Sequence, residues 1–290
     1  MVPVEARGRV ALPALVVGVV AVSSAAILIR LTDAPALAIA FWRCALGVVF
    51  LLPLAAYRRE SLPSGRPLRV LLASGALLGL HFGLWIPSLE YTSVAASVVL
   101  VCTVPVFVAL FGFLALGEKT SGLSLAGIFV SIGGSALIAS DGSVGSAALF
   151  GNALAVGGAV AVAAHFVIGR SSRTGGIGVL PYSIIVYSAA AAVLLPLVVL
   201  SGSALWGYSG EAWFWLFAIT LGPQIFGHTV LNWTLGYVEA AVVSGSVLAE
   251  PVVAAVLAWL VLSERPGLLT LIGGPIVLLG LYLLLRGRGS

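Results

Sequence analysis

Charge is what this sequence has least of. Of 290 residues, 8% are Asp, Glu, Lys or Arg, against 61% hydrophobic and a mean hydropathy of +1.18. A water-soluble domain carries roughly a quarter charged residues, so this chain could not cover a surface facing water. Its two cysteines, Cys44 and Cys102, sit in apolar runs and imply no disulfide framework. Its three histidines are scattered, without the spacing of a metal site, so no metal is expected. No GxxxxGK[ST] stretch occurs, which argues against direct drive by a nucleotide. The ten acids fall almost entirely between apolar runs, with neither a converging pair nor an HExxH motif. An enzyme is therefore not expected, and no cofactor is called for. The net charge of +4 sits in short loops and at the chain ends, which points away from nucleic acid. The expected surroundings are a lipid bilayer.

What the chain has is long apolar runs. Pro, Gly and charged residues divide them into ten spans: 11–30, 35–56, 68–88, 94–116, 122–140, 147–168, 179–200, 211–233, 238–262 and 267–285. Each is near the roughly 20 residues a transmembrane helix needs. The first run, after a short basic stretch, could be a signal peptide. It has no clear small-residue cleavage site before a polar start, so it reads as the first span. With ten spans both ends lie on one side. That side collects eleven of the fourteen basic residues, from Arg7 to Arg288, while Arg30 and Arg265 lie opposite and Arg43 lies inside a span. The bias predicts cytoplasmic termini, in the inner (plasma) membrane.

The halves repeat. At an offset of 146, Tyr91 matches Tyr237, Ala95 matches Ala241, Pro105 matches Pro251, Glu118 matches Glu264, Gly127 matches Gly273 and Gly134 matches Gly280. LLPL at 51–54 matches LLPL at 194–197. Five spans per half is an odd number, so the second half enters the membrane upside down. The expected architecture is an all-α polytopic membrane protein, with ten transmembrane helices as two inverted five-helix repeats at 1–145 and 146–290. Folds of this kind place a small solute near mid-membrane, between the halves.

The stretches APALAIAFWRCALGVVFLLPL (34–54), LEYTSVAASVVLVCTVPVFVALFGFLALGEK (89–119) and SGSVLAEPVVAAVLAWLVLSE (244–264) carry a family resemblance. They resemble the EamA group of the drug/metabolite transporter superfamily along essentially the whole chain. Ser263 stands where the second copy usually has Gly. HFGLWIPSLEYTSVA (81–95) and GPQIFGHTVLNWTL (222–235) are similar to a bacterial branch of transporters of uncharacterised function. The resemblance implies export or exchange of small organic solutes, amino acids among them, without fixing the solute.

Two ionisable groups lie deep in spans, Arg43 and Glu250. A charge at a helix centre costs about 2.5–3.5 kcal/mol on insertion scales and is kept where a partner or watery cavity meets it. Glu250 could relay protons or bind solute; Arg43 could grip a carboxylate with two prongs. The two could instead form a structural ion pair. Pro105 and Pro251 are expected to break their spans and free carbonyls near residues 101 and 247. His81 and His228 fall one residue out of repeat register, with Trp85 and Asn232 one turn later on the same helix faces. For these residues, solute contact competes with helix–helix hydrogen bonding. His165, Asn152 and Gln224 read first as interhelical glue, and Tyr182 and Tyr187 as candidate cavity hydroxyls. Trp206, Trp213 and Trp215 read as an outer-interface belt, and Glu118 and Glu264 as structural turn residues. The glycine-rich fifth and tenth spans read as peripheral supports or a dimer surface, leaving monomer and homodimer both open.

The substrate-binding set is thus Arg43, His81, Trp85, His228, Asn232 and Glu250, for a small-molecule substrate. A lipid-carrier translocase of the same fold is the alternative, though a lipid phosphate would favour several cavity cations and only Arg43 is on hand. A membrane-embedded enzyme ranks below both, as does a purely structural subunit.

Overall fold

Lipid offers a peptide group no hydrogen-bond partner, so a spanning segment must satisfy its backbone within itself. In the computed structural model, which describes residues 4–92, 94–140, 148–262 and 265–287, every regular element is accordingly helical. Helices α1 (Val4–Ser23) and α2 (Ala25–Leu31) are followed by α3 (Ala36–Arg58) and α4 (Gly65–Tyr91). Then come α5 (Val94–Val101), α6 (Val104–Leu116) and α7 (Gly122–Ala139). The second half runs α8 (Ala148–Thr174), α9 (Val179–Leu200), α10 (Gly210–Ile219), a π-helix (Thr220–Thr229) and α11 (Val230–Thr234). It ends with α12 (Ala240–Ser246), a 3-10 turn (Val247–Ala249), α13 (Glu250–Leu262) and α14 (Leu268–Arg286). Among the described residues nine stretches are long and apolar enough to cross a membrane, and Gly122–Ile138 is apolar but shorter. The readings on Ser263, Glu264 and Arg288 fall outside the described residues, as do the side chains of Arg7, Arg9 and Ala95.

Besides the break at Ser24 between α1 and α2, three of the spans read as continuous are interrupted. The 94–116 span breaks between α5 and α6, and the 238–262 span breaks at the 3-10 turn. Pro105 and Pro251 do not kink helix interiors. Each lies at the start of a new helix, where a missing N–H costs nothing. The Val247 carbonyl at the second break accepts from the Cys102 thiol at the first, at 3.7 Å. The third interruption, the π-helix in the 211–233 span, gave no sequence sign beyond Gly222, Pro223 and Gly227. Its carbonyl at Gln224 accepts from the Tyr187 hydroxyl at 3.2 Å and the Thr229 hydroxyl at 3.3 Å.

Helices α7 and α14 fix the relation of the halves. A Cβ on Gly127 would lie 2.5 Å from the Gly280 carbonyl oxygen, and one on Gly134 would lie 2.8 Å from that of Gly273. Ser124 donates to the Leu284 carbonyl at 3.0 Å and Ser131 to that of Val277 at 3.1 Å. As the number rises along α7 it falls along α14, so the two run antiparallel. They are also the repeat-equivalent helices. Equivalent helices of opposite direction mean that the second copy is turned over relative to the first. Gly127 and Gly134 are used against Gly280 and Gly273, letting the backbones touch.

Candidate functional site

A two-fold axis relating halves of opposite orientation lies in the membrane plane, so equivalent residues that meet across it sit at mid-depth. One such meeting is exact and two fall one residue out of register. Ser131 bonds Val277, Cys102 bonds Val247, and the rings of His81 and His228 lie 6.5 Å apart between centroids. The one-residue slip of His228 is matched by the π-helix beneath it, which carries an extra residue per turn and brings its ring round to face His81.

A cavity opens on this axis, lined in near-equivalent pairs: His81 with His228, Trp85 with Leu231, Val101 with Val247, and Val104 with Glu250. Val162 and Phe166 of α8 close one side, and Val22 and Ala25 of α1 and α2 the other. The cavity's volume of about 50 Å³ gives room for a few waters. Glu250 is 5% exposed and heads α13, where the first-turn N–H groups favour an acid. The His81 and Trp85 rings stack at 5.8 Å and 7°. His81 Nδ1 is tied to the Gly158 carbonyl at 2.9 Å, whereas His228 Nδ1 has no partner.

Of the six residues named for the site, the structure brings four to the cavity: His81, Trp85, His228 and Glu250. Arg43 lies behind it, fully buried, its guanidinium 4.0 Å above the Phe82 ring, which meets His228 edge-on at 5.2 Å. No Arg43–Glu250 ion pair forms; the ion pair found among the described residues is Arg170–Glu118 at 3.0 Å. Asn232 turns away, and Leu231 takes its place on the wall. The sequence pairing of Trp85 with Asn232 assumed one unbroken α-helix through His228. The π-helix changes the phase, so the residue at the strict repeat offset from Trp85 faces inward. The backbone carbonyl of Asn232 accepts from Arg173 Nε at 3.2 Å.

Gln224 matters more than its sequence context suggested. Its Oε1 accepts from Arg43 Nε at 2.8 Å. Tyr187 is a brace for the π-helix, bonding the Thr229 hydroxyl at 2.8 Å. Tyr182 and His165 share Ser74, at 3.2 Å and 2.9 Å. Trp42 packs edge-on against Trp206 and Trp213 at 4.6 Å and 5.0 Å, while Trp215 packs on Phe214. Phe166 and Val22 could not have been placed at the cavity from sequence, since nothing in an apolar helix marks which of its faces meets a void.

The EamA-like transporter family model matches residues 10–140 and again residues 149–286. The chain belongs to the EamA-like transporter family. The first matched stretch ends with α7 and the second with α14, the antiparallel pair. The chain is also 30% identical, over 258 residues, to an uncharacterized transporter of Archaeoglobus fulgidus, covering 84% of this chain and 86% of that one. A crystal structure of a protein with 17% identity shares the fold, with a TM-score of 0.80 over 97% of this chain and 99% of that one. Within the EamA-like family, then, this is a multi-pass membrane transporter.

Proposed function

We propose that the chain is a secondary transporter of a small organic metabolite such as an amino acid, working by alternating access between inverted halves at 1–145 and 146–290. Export or exchange across the inner (plasma) membrane is the proposed direction, with both termini cytoplasmic. The observation that carries the reading is Glu250. It is the acid placed on a mid-membrane cavity whose opposite wall offers Val104 in the equivalent position. A carboxylate there can meet a solute amine or carry a proton, one at a time, which would couple the two fluxes. The cavity's small size fits a closed conformation. On the side rich in basic residues, closure is supported by the Glu118–Arg170 pair and by Arg170 Nη1 on the Leu235 carbonyl at 2.9 Å.

The test is uptake of labelled amino acids into proteoliposomes under an imposed pH gradient. Wild type is expected to accumulate solute in response to the gradient, and Glu250→Gln to ignore it. Equal gradient-driven uptake by both would remove Glu250 from the mechanism.

A further inference from the structure

Buried polar atoms in a folded protein find partners almost without exception, and a group of them left unpaired together asks what completes it. Behind the cavity three such nitrogens belong to one hydrogen-bonded pair of residues. Arg43 uses Nε on Gln224 Oε1, leaving Nη1 and Nη2 without partners, and the Nε2 of the same Gln224 is unpartnered too. Both residues are 0% exposed. All three nitrogens are donors and none can accept. The set therefore suits an oxyanion and repels a cation or a donor.

The cluster is held ready. The Gln224 backbone is fixed by the hydroxyls of Tyr187 and Thr229 on its carbonyl, and the Arg43 plane is fixed by Phe82. The Arg43 fork matches a planar carboxylate two-pronged. A doubly charged phosphate would call for a second cation, and the cavity next door supplies an acid instead, Glu250. Between cluster and cavity stand Phe82 and His228, whose Nδ1 is also unpartnered.

We propose that Arg43 and Gln224 form the receptor for the carboxylate of the transported solute, closed off in this conformation by Phe82 and His228 and reached when the π-helix segment moves. This deepens the transport reading and rests on it. The solute carries a carboxylate for Arg43 and Gln224, and Glu250 is left for its amine or for a proton.

The test uses the purified full-length chain and measures binding of glycine, leucine and phenylalanine, each against its own α-carboxamide. The amide keeps the amine and removes the carboxylate. In wild type the acids should bind at least ~10-fold more tightly than the amides, the scale of a charge-assisted pair. Gln224→Glu places a carboxylate on Arg43 permanently. It should fold as stably as wild type and bring the acid-to-amide ratio to about one or below. Arg43→Lys, which keeps charge but loses the fork, should reduce the ratio without abolishing folding. Amides binding as tightly as acids, no binding by any of the six, or an unchanged ratio in both variants would each overturn the carboxylate receptor. Proteoliposome uptake separates the two readings. Uptake of amides alongside acids would leave transport standing without the receptor, and absence of all uptake would overturn both.

Discussion

The two walls of the cavity are built from equivalent helices and differ in what those helices carry. In the first half, α4 is a regular helix, its His81 is fastened to the Gly158 carbonyl, and the break before α6 presents Val104. In the second half, the equivalent helix passes through ten residues of π-helix, His228 Nδ1 has no partner, and the break presents Glu250. One wall is regular and offers no acid to the cavity, though Trp85 Nε1 on it is also unpartnered. The other is irregular, polar and incompletely bonded. A two-fold scaffold gives the hinge geometry, and asymmetric side chains on one copy give the chemistry. Groups left unpaired where a solute must come and go cost stability, about 1–3 kcal/mol per buried polar atom, and that cost falls on both walls, at Trp85 Nε1 and at His228 Nδ1.

Several substitutions would break or sharpen this contrast. The largest effect is expected from Glu250→Val, which makes the walls alike. Gradient-driven uptake in proteoliposomes should be lost while the protein still purifies as a folded monodisperse species. Moving the acid across the axis, in Val104→Glu with Glu250→Val, should restore part of that uptake if position on the axis is what counts. Next is deletion of Phe226, which takes one residue from the π-helix and should return it to α-helical register. Circular dichroism should stay helical while solute binding is lost, because His228 no longer faces His81. Smaller and opposed effects should separate the histidines. His81→Gln should lower the melting temperature, by the equivalent of about 1 kcal/mol for its hydrogen bond. His228→Gln should leave the melting temperature nearly unchanged and weaken binding. Smallest is Glu118→Gln. Its ion pair with Arg170 is partly exposed, so the stability change should stay within about 1 kcal/mol.

The helical architecture was legible because lipid leaves few choices. Span lengths and the 146-residue offset follow from constraints that act along the whole of a spanning helix. The inversion was legible for the same reason, since an odd number of spans per copy permits nothing else, and the antiparallel packing of α7 against α14 agrees with it. Glu250, His81, His228 and Trp85 stood out because polar and aromatic groups at depth are rare. Arg43 and Asn232 stood out too, yet neither lines the cavity. Depth can be read from position in a span, but direction requires the phase of the helix, and the π-helix changes that phase between Pro223 and Asn232. Gln224 was undervalued on the same account, because its partner lies 181 residues away in sequence. The breaks at Pro105 and Pro251 were legible as well, with carbonyls freed beside residues 101 and 247. The prolines begin helices at breaks and do not bend helices that continue.

The most direct test is a thermal-shift screen of purified protein against amino acids, nucleosides and amines, run in parallel on wild type and Glu250→Gln. The expected result is a class of solute that stabilises wild type and stabilises the variant much less, which would place Glu250 in or beside the solute. Equal stabilisation of both by every active solute would contradict the one-sided chemistry on which this reading of the cavity rests.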